Sequence, residues 1–459
     1  MDLLPMRPIP AHANEGFVLM TLDQKIVAAK GHGIFGWASL VKSIHTVNQF
    51  FKLSPGDAVI LNDPSCGGLF PWAITCVLRT EHHILARSQK IKSLWHLAEK
   101  IDFESLRIPP TPLIQKGELQ TQIFESLKNH PSVGPDFANT LKNITSLESF
   151  PMRNWRSLSP NWASRIRALI HELPHREALQ EVKLSTGEII RLKLVCSDDG
   201  FSFDFGGTSV GQRCFLDEAL ILGICREYLL RFFSLDFQYS PFLDPWIHLR
   251  TPQQSCLQNK YPQGQLQGLA RATGALLHVI QKCFQQIYQK DTIPFHNFYP
   301  LWIQVKNKNH FVQWILPPGS GALGKDSGIS AFSIDGISEI PPIAEIQTFF
   351  EIEEFSLAEP KPHVSAQNPG QNLGQSNIQT QSLNQAGHGI KLALLAKADC
   401  ELLWFTERAK TALGGDSTHS ALEPCCVILN NEILPGTGQL HLRKGQSLRL
   451  QTGSGAHLI

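Results

Sequence analysis

Short runs of apolar residues, broken by turn-forming residues, occupy most of the chain, with a few longer stretches at helical spacing. Residues 16–29 hold an apolar run, a Leu22-Asp23-Gln24-Lys25 turn and a second run, Ile26-Val27-Ala28-Ala29, which predicts a β-hairpin. Apolar residues at 37, 40, 41, 44, 47 and 51 follow the period of a helix. Ser54-Pro55-Gly56-Asp57 then turns the chain into Ala58-Val59-Ile60-Leu61, an unbroken apolar run that predicts a strand buried on both faces. Strands are expected again at 74–78 and 83–86. Between 98 and 180 the pattern changes to helices with polar faces, as at 117–127 and 160–173.

Strands return with Val182-Lys183-Leu184 and 189–194, joined by a Ser185-Thr186-Gly187-Glu188 turn. Residues 201–205 alternate before Gly206-Gly207-Thr208-Ser209, and 216–233 is too densely apolar for a surface helix. A second long helix is expected at 262–287 and a strand at 311–316. Residues 364–389 have no charged side chain and are rich in Gln, Asn, Ser and Gly, a composition that cannot bury enough apolar surface to offset the entropy of ordering. They are expected to be a disordered linker. Short strands at 391–395, 401–405, 425–429, 439–442 and 447–450 follow, with turns at Asn430-Asn431 and Arg443-Lys444-Gly445. The expected fold class is a mixed α/β (α+β) multidomain protein. Its expected parts are a strand-rich domain (1–97), a helical subdomain (98–180), a central α/β domain (181–363), the linker (364–389) and a β-rich C-terminal unit (390–459).

Composition adds limits. A chain of 459 residues exceeds one ordinary core, and 42% hydrophobic with 18% charged residues fits a globular protein. Lys and Arg total 41 against 40 Asp and Glu, so no global field favours nucleic acid or an anionic membrane. The ten cysteines include no CxxC pair, which argues against structural zinc and for reduced, buried thiols in a cytoplasmic protein. The first residues, Met-Asp-Leu-Leu-Pro-Met-Arg-Pro, lack the basic start and apolar run of a signal peptide, and no segment reaches the length of a membrane helix.

The stretch best suited to a site is Asn62-Asp63-Pro64-Ser65-Cys66-Gly67-Gly68, where a buried strand delivers polar residues to a tight turn. Asn62, Asp63, Gly67 and Gly68 are candidate binding residues, and so are Asp204, Gly207 and Thr208 in the second glycine-containing turn. Asp63 and Asp204 are equally suited to stabilising their own turns. Cys66 is the thiol to test for reactivity, with a buried filler as the alternative. Ser209 and Thr208 have no neighbouring base and no G-x-S-x-G elbow. Residues 319–325 lack the Walker spacing and are followed by Asp326 instead of Ser or Thr.

Three motifs together resemble the hydantoinase B/oxoprolinase family, the second large subunit of ATP-dependent ring-opening amidohydrolases and of acetone-type carboxylases. They are Pro55-Gly56-Asp57 through Gly68, Phe203-Asp204-Phe205-Gly206-Gly207-Thr208-Ser209, and Pro318-Gly319-Ser320-Gly321-Ala322. Weaker echoes are Thr406-Glu407-Arg408 with Gly414-Gly415, and Leu434-Pro435-Gly436. The resemblance implies a divalent metal held by a His and an Asp shortly after the glycine pair. In this chain those five places read Leu69-Phe70-Pro71-Trp72-Ala73. A third ligand place falls on Gly16 and a fourth near Lys90 and Ile91. Zinc or manganese needs three or four nitrogen, oxygen or sulfur donors, so no metal site is expected. The family's glycine-rich tail is here Thr452-Gly453-Ser454-Gly455-Ala456-His457.

Two functions follow as expectations. One is the inherited class, ATP-dependent hydrolysis of a cyclic amide of the 5-oxoproline or hydantoin type, with the metal ligands lost. The other is a catalytically inactive scaffold that binds a partner. In either case no cofactor is expected in this chain: ATP belongs to a hydantoinase A-type partner subunit. A homo-oligomer is the other assembly considered, and neither nucleic acid nor membrane is an expected partner. Relocated ligands among His12, His32, His45, His82, His83 and His96 would restore the enzyme.

Overall fold

The computed structural model describes residues 15–30, 37–68, 73–90, 107–130, 162–210, 216, 218–233, 243–258, 266–288, 298–307, 310–318, 341–358, 389–407 and 425–453. Among them are six α-helices and four mostly antiparallel sheets, the expected mixed α+β class. The chain divides into two compact units, residues 1–288 with 334–337, and residues 289–333 with 338–459.

The first unit opens with β1 (Glu15–Thr21) and β2 (Ile26–Lys30), paired antiparallel around the expected turn, in which Gln24 takes a positive φ. Helix α1 (Trp37–Phe50) precedes β3 (Ala58–Leu61), β4 (Ala73–Arg79) and β5 (His83–Lys90). Two strands lie in the segment expected to be helical, β6 (Thr111–Gln115) and β7 (Glu118–Leu119), and they extend the same sheet in the order β2-β1-β5-β4-β3-β6-β7. The Lys116-Gly117 turn, with positive φ at both residues, is what delays helix α2 to Thr121–Lys128.

Both faces of this sheet are covered. Leu40, Ile44 and Val47 of α1 pack on Val18, Met20, Val59, Leu61, Val77 and Ala86, and on the other face Ile123, Phe124 and Leu127 of α2 meet Ala58, Ile60, Ile74 and Cys76. Covering on both sides is the reason β3 reads as four apolar residues in a row with no polar alternation.

After α3 (Trp162–His171) come β8 (Glu177–Lys183), β9 (Ile189–Ser197) and β10 (Gly200–Asp204), then α4 (Glu218–Phe232), β11 (Ile247–Arg250) and α5 (Leu266–Tyr288). The four strands form a second sheet, β11-β10-β9-β8, in which only β10 and β11 run parallel. Helix α4 is buried along nearly its whole length, as its composition required, with Tyr228 stacked on Phe284 of α5 and Phe232 against the same ring. It also buries charge: Arg231 bonds Glu227 one turn back, and Arg226 donates to both oxygens of Asp244 at 2.9 and 3.2 Å. Burial pushes the Asp244 carboxyl up, and Arg226 partly opposes that shift.

The second unit contains β12 (Leu301–Lys306), β13 (Phe311–Leu316), α6 (Ile343–Phe349), β14 (Phe350–Ala358), β15 (Gly389–Ala396), β16 (Cys400–Phe405), β17 (Cys426–Leu429), β18 (Glu432–Ile433), β19 (Thr437–Leu442) and β20 (Ser447–Gln451). They make two sheets, β13-β12-β16-β19 and β14-β15-β20-β17-β18, which enclose one core. Strands from both sides of the glutamine-rich stretch share these sheets: β16 pairs with β12 and β15 with β14. That stretch lies outside the described residues except for Gly389, which opens β15. Asn430 and Asn431 both take positive φ between β17 and β18, the conformation a two-residue hairpin turn requires.

The buried Arg226–Asp244 pair gives the first prediction. Asp244→Ala strips a partner from a guanidinium that is 2% exposed, and it is expected to cost about 2 to 3 kcal/mol in urea denaturation, less than for a fully buried pair.

Candidate functional site

Strand β3 is held at both ends by carboxylate and amide side chains. Before it, Asp57 accepts from Ser54 N at 2.7 Å and from Lys116 N at 2.5 Å. After it, buried Asn62 accepts from Ile108 N at 2.6 Å through Oδ1, while its own N–H donates to Ile108 O at 2.9 Å. The side chain thereby copies the hydrogen bonding of a neighbouring strand.

Asp63 turns inward on its own segment. Its Oδ1 accepts from Ser65 N at 2.9 Å and Ser65 Oγ at 2.6 Å, capping a short 3-10 turn over Pro64–Cys66. Gly67, at φ +89°, brings this turn against α1: a Cβ there would stand 2.5 Å from Ser39 O and Ser43 N. A Cβ on Gly68 would overlap the main chain of Asn62, and Gly68 N donates to Asp63 O. Lys42 Nζ reaches Pro64 O at 3.5 Å. Cys66 is half-buried beside the α1-side core, and burial raises its thiol above the usual cysteine range. The turn is built to hold itself and α1 together.

The second motif behaves alike. Asp204 Oδ1 accepts from Gly206 N at 2.8 Å, and Oδ2 accepts from Arg250 Nη1 at 3.1 Å. Gly207 has φ +85° under the Arg191 side chain. Thr208 Oγ1 accepts from Arg191 N and donates to Arg191 O, both at 3.2 Å, and Ser209 continues the docking through Ile189. Thr208 and Ser209 thus lace the loop onto β9, while Asp204 holds the turn itself and Arg250 of β11.

Of the third motif only Pro318 is described; two of the weaker echoes meet where Thr406 N donates to Gly436 O at 2.6 Å, and the residue before Pro318 meets the C-terminal tail. Thr452 Oγ1 donates to Pro317 O at 2.8 Å, Gly453 N–H donates to Cys425 Sγ, and Cys425 Sγ donates to Tyr299 O at 3.0 Å. Burial pushes the Cys425 thiol up to about 12, so it is no nucleophile at neutral pH. All nine described cysteines are free, and every one except Cys66 is buried, as expected of reduced thiols.

Of the places that the resemblance assigns to metal ligands, Gly16, Ala73 and Lys90 lie in described strands. Gly16 on β1 pairs with Ser88 on β5, Ser88 with Thr75 on β4, and Ala73 with Lys90 in the adjacent register. Residues paired this way, or two apart on one strand, share a face, so positions 16, 73 and 90 meet on the α1 side of the sheet. Positions 69–72 and 91 lie outside the described residues. The residues that meet do not suit a divalent metal, because Gly16 and Ala73 offer no side-chain donor. No group of three or more His, Cys, Asp or Glu side chains gathers among the described residues. His12, His32 and His96 are outside them, and His82 is an exposed neighbour of Glu81. None of these partnerships was visible in the sequence: Ile108 and Ser88 carry no motif.

No protein-family model and no curated protein sequence matches the chain. Its fold does have solved counterparts. An ATP-dependent caprolactamase from Pseudomonas jessenii superposes with a TM-score of 0.68 at 12% identity, covering 99% of this chain and 84% of that one. A nucleotide-free acetone carboxylase, an enzyme of ATP-dependent acetone carboxylation, gives a TM-score of 0.64 at 9% identity, covering 96% and 70%. At these identities the likeness is one of fold. Among the described residues no helix is long and apolar enough to cross a membrane.

Two predictions test the structural role of the first turn. Gly67→Ala is expected to lower stability by about 2 to 4 kcal/mol through strain and overlap with α1, whereas Asp63→Ala, which removes only a cap, costs about 1 kcal/mol. Both are read from chemical denaturation curves. Cys66 is expected to react with iodoacetamide at pH 7.5 more slowly than a free thiol such as glutathione, measured by mass spectrometry.

Proposed function

We propose that the chain is a divergent hydantoinase B/oxoprolinase-type subunit that acts as a non-hydrolysing, partner-binding scaffold beside an ATP-binding subunit of the hydantoinase A type. The observation that carries this reading is the use of Asn62 Oδ1 and Asp63 Oδ1 for bonds that hold the chain's own backbone, within a fold that matches those of two ATP-dependent enzymes over nearly all of this chain. Asn62 Oδ1 and Asp63 Oδ1 are engaged by main-chain donors, which turns both side chains toward holding the backbone rather than a substrate. The inherited class is ATP-dependent opening of a cyclic amide, of the 5-oxoproline or hydantoin kind. In this reading the ATP chemistry resides in the partner.

Catalysis of that inherited reaction is the second reading, favoured by the coverage of the caprolactamase, an enzyme named for a cyclic amide. One experiment separates the two. The chain is purified with a hydantoinase A-type subunit, the complex is sized by light scattering, and ring opening of 5-oxoproline, hydantoin and caprolactam is followed with ATP. A stable complex with no more product than the ATP-binding subunit makes alone is the expected outcome. Added ring-opening activity establishes the enzyme instead, and a chain that only self-associates removes the partner reading.

A further inference from the structure

We infer that the position on the N-terminal sheet where the resembling family holds its divalent metal has lost its anionic and strongly donating ligands in this chain and is closed to Zn²⁺ and Mn²⁺. The inference rests on the family reading for the place, and on the residues present for the loss. Gly16, Ala73 and Lys90, at or next to places that the resemblance assigns to ligands, lie on one sheet face across β1, β4 and β5 through the pairs Gly16↔Ser88, Thr75↔Ser88 and Ala73↔Lys90.

The buried polar side chains on this face, Ser88 and Thr75, are neutral hydroxyls. Ser88 Oγ accepts the Gly16 N–H at 3.3 Å, and Ser88 is fully buried. Thr75 stands opposite it across β4 and β5, also fully buried, and its hydroxyl has no hydrogen-bond partner among the described residues. Ala73 contributes a buried methyl group, and around them lie Val18, Leu61, Val77 and Ala86 of the α1-side core.

Electrostatics decides the matter. Taking a dication out of water is strongly unfavourable unless anionic or strongly donating ligands replace its hydration shell. Two hydroxyls provide neither the charge nor the three or four donors that zinc needs, and both are poor ligands until ionised. The fourth place carries a lysine, whose formal charge has the same sign as the ion it would have to hold. An apolar surround with one N–H···Oγ bond is, by contrast, a stable way to finish a sheet face against a helix.

The test uses the purified full chain. Elemental analysis is expected to find less than about 0.1 equivalent of Zn or Mn, and the unfolding temperature is expected to change by less than about 1 °C with EDTA, Mn²⁺ or Zn²⁺. A stoichiometric metal, or a rise of several degrees with either ion, overturns the loss. The placement is tested by the double variant Gly16→Asp/Ala73→Asp, which is expected to gain stabilisation by Mn²⁺ that the wild-type chain lacks. A double variant that is folded by circular dichroism yet indifferent to Mn²⁺ overturns the placement; if it does not fold, Ala73→Asp alone is read the same way. Failure to bind an ATP-binding subunit sinks the scaffold reading and leaves these metal measurements untouched.

Discussion

Strand β3 has four residues, and each end is fastened by a side chain that reaches the neighbourhood of β6: Asp57 to Lys116 N and Asn62 to Ile108 N. So short a strand has few ladder bonds of its own, and a slip of one residue would exchange its two buried faces. Those faces are not equivalent. Ala58 and Ile60 belong to the α2-side core, while Val59 and Leu61 belong to the α1-side core. The two polar anchors therefore set a register on which both cores depend. Burying each anchor is tolerable only because its oxygens are met by main-chain N–H groups, without which a buried carboxylate or amide would be strongly unfavourable.

From that register the glycine pair follows. Once Leu61 is fixed, the chain must leave β3, turn and pass along α1 at backbone-contact distance, and Gly67 is where it does so. The same residues that make a segment look like a ligand cradle, namely Asn, Asp, Pro and close glycines, are the ones a tight turn needs when it must press against a helix. Here the cradle is filled by Ser39 and Ser43 of α1.

Local patterns conveyed much of the fold. The first hairpin, α1, β3, the β8–β9 hairpin, the buried α4 and the C-terminal strands are each set by patterns a few residues long: an apolar period, a glycine at positive φ, an Asn-Asn turn. What escaped notice depends on distant partners. β6 and β7 have little apolar content, and they are strands because Asp57 and Asn62 recruit them to the open edge of β3. β12 and β14 pair with β16 and β15 across a long gap in sequence, and no local signal announces that. Within the candidate site, the self-capping of Asp63 follows from the Asn-Asp-Pro-Ser order alone, but the partnership of Asn62 with Ile108 needs 46 residues of intervening fold.

A scaffold can outlast the chemistry it once carried because the two rest on different residues. The register of the N-terminal sheet depends on Asp57, Asn62, Gly67 and Gly68, and all four are engaged with the main chain, as are their counterparts Asp204 and Thr208 on the second sheet. A metal centre depends instead on side chains that point away from such bonds, and replacing those by glycine, alanine or a hydroxyl removes buried charge from the core. Such replacements do not require the backbone to move, since Gly16 and Ala73 keep their places in unbroken ladders. They relieve the desolvation that a cluster of ionised ligands imposes when no cation is present. A fold built on main-chain anchors can thus tolerate changes at such side-chain positions while its sheet register and turns stay as they are.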